Sequence, residues 1–228
     1  MRKLLLPLIA LLATLARADE LLMPGSFHGD EIRYKSGEAW LALHRGMLQP
    51  VRITIEREFD PILDDEGEKT GKRVDVIGAP DALFLVRGTR LHPGPVTAAS
   101  PQSAELTLGQ ITTFTFANTK STMQFRCSRA ANPEGYIPCA LVLTSNGVEQ
   151  KLATFDAIVD EQTHKLLPAG AAVPEVVWAG DLDRDGRLDF VVNVSPHYNV
   201  WSPALFLSSA AREGEIVAKV AMFTVSGC

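Results

Sequence analysis

The chain has 228 residues, 46% of them hydrophobic, with 22 basic and 27 acidic side chains and a formal charge of −5. That is enough apolar material for one large β domain or two small ones. The acidic balance argues against nucleic acid or an anionic lipid surface as the main partner.

At the N-terminus, Arg2 and Lys3 give a positive start and Leu4 to Leu15 a short apolar run. Ala16 and Ala18 then put small residues at the two positions a signal peptidase reads. This order predicts a secretory signal peptide over 1–18, since the run falls short of the about 20 residues of a membrane span. No later stretch is apolar enough to span a bilayer. The expected mature chain runs from Asp19 to Cys228 and is periplasmic or secreted. Losing Arg2, Lys3 and Arg17 leaves 19 basic residues against 27 acidic ones, a formal charge of −8.

The dominant hydrophobic period along this mature chain is two. Strands are expected at Glu38–His44, then at Val51-Ile53-Ile55, which alternates with Arg52, Thr54 and Glu56. A long charged loop, Asp60 to Lys72, precedes Val74 and Val76, and Ala82–Arg87 follows. Arg90 to Gln102 carries Pro93, Gly94, Pro95 and Pro101 and is either a soft domain boundary or a long loop within one domain. Further strands are expected at Glu105–Leu108, around Phe114 and Phe116, and on both sides of a turn holding Asn132-Pro133 and Gly135. One helix, Asp156 to Leu167, is expected before Pro168. Val173–Trp178, Leu188–Val194, Ala204–Leu207 and Glu215–Val225 complete the set. The reading is an all-β, mostly antiparallel protein, a β-sandwich or partial propeller-like sheets with at most one short helix.

Three cysteines stand in this chain. Cys127 shares a face with Met123 and Phe125, and Cys139 with Leu141 and Leu143, so a hairpin brings them together. A Cys127–Cys139 bond is the first expectation and a bond from Cys228 to either is the second. Cys228 otherwise stays free or pairs between chains.

The chemically specific stretch is Asp181-Leu182-Asp183-Arg184-Asp185-Gly186-Arg187-Leu188-Asp189. Its aspartates fall at positions 1, 3, 5 and 9 of the loop, with glycine at position 6. Calcium is a hard cation that takes carboxylate and backbone carbonyl oxygens. Alternate residues of a curled chain face one centre, so Asp181, Asp183 and Asp185 are expected to converge. Gly186 supplies the reversal, the Arg187 carbonyl turns inward, and Asp189 closes the far side. Four carboxylates so close repel one another without a cation, although Arg184 and Arg187 offset part of that charge. An EF-hand is excluded, because its twelfth loop position needs an acidic residue and Val192 stands there. The acidic residues of the 60–72 loop lack a defined ligand spacing.

This loop, with the apolar strand Leu188–Val194 and the later strand Ala204-Leu205-Phe206-Leu207, resembles the calcium loops of FG-GAP repeats. Such repeats occur in integrin-α propellers and in bacterial proteins with VCBS-type repeats. The resemblance covers Pro174 to Ser208 and implies Ca2+ ligands at Asp181, Asp183, Asp185, Asp189 and the Arg187 carbonyl. A propeller needs several repeats and the chain shows one, so the expectation is a single repeat within another β fold.

No G-x-S-x-G elbow, H-E-x-x-H motif or zinc-spaced histidine pair is present. Two functions fit. One is a non-enzymatic exported calcium-binding protein whose partner is a protein or a glycan. The other is a periplasmic or extracellular hydrolase with a structural Ca2+.

Overall fold

The computed structural model describes residues 19–226 apart from 133, 171–173 and 196. The expected signal peptide over 1–18 and Cys228 lie outside the described residues. The protein is nearly all antiparallel β, as its two-residue period predicts, and its only helical element among the described residues is a 3-10 turn at Ser208–Ala210.

The first sheet holds β1 (Glu20–Leu22), β2 (Gly25–Phe27), β3 (Ala39–His44), β4 (Met47–Glu58), β5 (Gly71–Val76) and β6 (Phe84–Arg87), in the order β1-β6-β3-β4-β5-β2. The long β4 pairs with β3 over its first half and with β5 over its second, so it turns the sheet through a corner. β1 and β2 sit on opposite edges, yet only Met23 and Pro24 separate them. A linker that short reaches about 10 Å, so the two edges curl toward each other into a half-barrel.

The segment from Arg90 to Gln102 is stitched into two sheets. Its β7 (Gly94–Pro95) pairs with β4, and its β8 (Thr97–Ala98) pairs with a strand of the later sheet. Then come β9 (Ala104–Glu105) and a five-stranded meander: β10 (Ile111–Phe116), β11 (Thr119–Cys127), β12 (Ile137–Ser145), β13 (Val148–Val159) and β14 (Leu166–Pro168). Cys127 stands directly opposite Cys139 across β11 and β12, and the two form a disulfide. The expected helix over Asp156–Leu167 is absent: the segment is the β13–β14 hairpin, turning at Asp160–Lys165. Phe155 and Ala157 are buried while Asp156 and Ile158 are exposed, a two-residue alternation that a helix cannot use.

The last sheet is the middle layer. β15 (Glu175–Asp181), β16 (Asp189–Asn193), β18 (Pro203–Leu207) and β19 (Ala218–Met222) lie side by side, with β8 and β9 on β15; β17 (Val200–Trp201) and β20 (Val225–Ser226) form a separate pair. Trp178, Val191, Leu205 and Leu207 pack toward the half-barrel. Val176, Ala179, Phe190, Val192, Ala204 and Phe206 pack toward the meander. Each interface carries an edge-on aromatic pair, Phe84–Trp178 at 6.1 Å and Phe114–Phe190 at 5.5 Å. Burial on both faces explains why Asp189–Asn193 and Pro203–Leu207 are buried at every residue. A bulge at Val177 shifts the β15 register, so Val176 and Trp178 face opposite ways although they are two residues apart.

Candidate metal centre

β15 ends at Asp181 and β16 begins at Asp189, so the loop closes a hairpin in the doubly covered layer. The ends of the loop are therefore buried while its tip reaches water. Asp189 is 0% exposed and Asp181 8%. Arg184 and Gly186 both take positive φ, 64° and 81°, and curl the chain between them.

The curl brings one oxygen each of Asp181, Asp183 and Asp189 to within 4.8 Å of one another. Asp189 is held from two sides. Its Oδ2 accepts the Leu182 N–H at 2.8 Å, and its Oδ1 accepts the Ser208 N–H at 2.8 Å and the Ser208 hydroxyl at 2.9 Å. Asp181 Oδ2 accepts the Gly186 N–H at 3.0 Å, while Asp181 Oδ1 is buried with no hydrogen-bond partner. Asp183 accepts the Ser209 hydroxyl. Asp185 is turned aside from this trio. Its carboxylate takes the Arg187 N–H at 2.8 Å and the Arg187 Nε at 2.9 Å, and it shares the one Ser208 hydroxyl proton with Asp189.

The loop arginines do not neutralise the trio. Arg184 reaches away to the carbonyls of Pro93 and His92, at 3.1 and 3.2 Å. Arg187 pairs with Asp185 and donates to the Ser208 carbonyl at 2.8 Å. Among the described residues no cationic side chain forms an ion pair with Asp181, Asp183 or Asp189. The cost appears in their acidity. Burial, opposed by the Ser208 N–H and reinforced by the charge of Asp183, pushes Asp189 up to about 7. Burial, with the charges of Asp185 and Asp183 adding, also raises Asp181. A buried carboxylate carries its charge only when something compensates it. The oxygens here fit a hard cation.

Two residues of this centre escaped the sequence reading. Ser208 and Ser209 come from the 3-10 turn after β18, and only the β16–β18 pairing brings them to the loop. An ordinary Ser-Ser pair gives no signal of that.

The acidic 60–72 loop is built differently. Asp60 is buried, its Oδ1 accepts the N–H groups of Ile62 and Leu63, and its Oδ2 meets His28 Nδ1 at 2.5 Å. The hydrogen bond from His28 lowers the Asp60 pKa, and the same bond raises that of His28. Asp64 accepts the N–H groups of Asp60 and Thr70, each at 2.8 Å. These carboxylates hold a turn. Of the three tryptophans, Trp40 and Trp178 belong to the core and Trp201 is half-buried.

No helix among the described residues is long and apolar enough to cross a membrane. Compared with known proteins, the chain matches no family model, no curated protein and no solved structure.

Proposed function

We propose that this is an exported, non-enzymatic binding protein whose Asp181–Asp189 loop holds a structural Ca2+. The observation that carries the reading is the buried, partnerless Asp181 Oδ1 within a carboxylate trio that forms no ion pair with a cationic side chain among the described residues. A divalent ion supplies the missing charge and ligand together. Asp181, Asp183 and Asp189 bind it first, with Asp185 and the Arg187 carbonyl completing the shell as the loop tightens. The likeness of the loop and its flanking strands to an FG-GAP or VCBS-type repeat supports the same assignment. The leader-like start and the Cys127–Cys139 disulfide support a periplasmic or secreted location, where such bonds persist.

The affinity expected of an extracellular module is about 10⁻⁴–10⁻³ M. At ten times Kd the ion then stabilises the fold by about 1.4 kcal/mol. Melting the protein in 5 mM Ca2+ (a chosen condition, about ten times Kd on the scale above) and again in chelator measures this. A higher melting temperature with calcium, and heat on titration, is the expected result; identical melts with no heat overturn the reading.

A hydrolase is the second reading, favoured by one observation. The His28–Asp60 pair borders a cavity of about 440 Å3 with Glu31, Glu58 and Trp201. Turnover of any polymer substrate that is lost in His28→Gln would establish it.

A further inference from the structure

A second cavity, of about 220 Å3, lies against the outer side of the Asp181–Asp189 loop. Gly186, Arg187, Leu188 and Ser208 form one wall. The β10–β11 and β12–β13 turns reach over from the meander, each through a residue of positive φ, Ala117 and Asn146, and form the other wall. Ser121 and Ser145 line its floor, 2% and 9% exposed, with their hydroxyls 2.9 Å apart. One of the two hydroxyl protons is spent between them. The other has no acceptor among the described residues, so a buried donor faces the cavity.

The remaining lining defines the ligand. Arg187 at the rim keeps its Nη1 and Glu215 keeps its Oε1, one donor and one acceptor not engaged by described residues. Phe116, Leu188 and Ile216 add apolar surface. Buried hydroxyls disfavour a purely apolar molecule, because their hydrogen bonds would go unmade. Glu215 and the acidic chain disfavour an anion. The volume lies below the about 300–1,000 Å3 of drug-sized ligand sites, so one ring fits and a folded segment does not. We propose that this cavity binds a single sugar ring, the end residue of a glycan, whose hydroxyls meet the two serines, Arg187 and Glu215 while its C–H face lies on the apolar wall. The inference rests on the calcium reading for one wall only: Ser208 ties that wall to Asp185 and Asp189, so the ion shapes the cavity.

The test is saturation-transfer NMR on the full mature chain at millimolar Ca2+, using the methyl glycosides of glucose, galactose, mannose and N-acetylglucosamine. At least one is expected to give a signal, with affinity at least tenfold weaker in Ser145→Val and in Ser121→Ala, while calorimetric calcium binding stays unchanged in both. Two substitutions guard against one that disturbs packing. Calcium binding with no sugar signal overturns this proposal and leaves the calcium reading standing. Sugar binding without calcium binding does the reverse. A signal that both variants retain at full strength, or one given only by a panel of dipeptides, also overturns it.

Discussion

Asp181 and Asp189 are both buried acids, yet their hydrogen bonds set them different tests. Every oxygen of Asp189 faces an N–H, so an amide there would set donor against donor. Asp181 has an N–H on Oδ2 and nothing on Oδ1, so an asparagine fits with its NH2 on the empty side. Asp181→Asn is therefore expected to melt in chelator at or above the parent temperature, since a buried charge is gone, while calcium affinity falls at least tenfold. Asp189 also fixes a pH dependence. Its carboxyl is raised to about 7 in the folded calcium-free protein against roughly 3.9 when unfolded. Between those values the folded state holds the extra proton, so stability falls as pH rises toward 7 and then levels off. Denaturant melts at pH 5 and pH 8 in chelator are expected to show the loss, and Ca2+ to reverse it by stabilising the ionised form. The His28–Asp60 pair contributes with a different shape. Asp60 is depressed and His28 raised, so that pair stabilises most between the two values and weakens on either side.

At the scale of elements, the loop is positioned by a strand that tolerates no added atom. A Cβ on Gly180 would lie 2.5 Å from the Thr97 carbonyl oxygen and 2.6 Å from the Trp178 ring. Neither neighbour has room, since one is the backbone of β8 and the other a core indole. Gly180→Ala is expected to cost about 1–3 kcal/mol by overpacking and to weaken calcium binding by pushing β8 off β15. Thermal melts and calcium calorimetry on the variant check both. The disulfide lies elsewhere on the same framework. Cys139 and Ser145 stand at opposite ends of β12, about 20 Å apart at strand rise, and only Ser145 lies beside the loop. The double change Cys127→Ser with Cys139→Ser is expected to lose about 3 kcal/mol of stability and to leave calcium affinity unchanged, as denaturant melts and titration calorimetry will show.

Across the whole molecule, the loop draws its geometry from being the end of a hairpin sealed on both faces. The half-barrel covers Trp178 and Val191; the meander covers Phe190 and Val192. Phe190 adjoins Asp189 and packs on Phe114, so the core of one interface holds the last acid of the loop in place. The same sandwiching removes water from Asp189, which raises its pKa and makes an ion effective there.

The two-residue alternation of the chain was enough to determine an antiparallel β protein, because a strand that buries one face must repeat with that period. The same alternation paired Cys127 with Cys139 through a hairpin. Carboxylates at loop positions 1, 3, 5 and 9 also marked Asp181–Asp189, since local backbone curl is a short-range property. Contacts between distant segments decided the rest. The strand pairing of β16 with β18 delivered Ser208 and Ser209, and the bulge at Val177 reversed a face. The meander turned Asp156–Leu167 into a hairpin, where sheet hydrogen bonds outweigh a weak helical preference. Asp185 lies beside its loop neighbours in sequence, but a hydroxyl from the 3-10 turn after β18 and the Arg187 side chain set its direction. Such partners are chosen by how layers stack, and no local pattern records that.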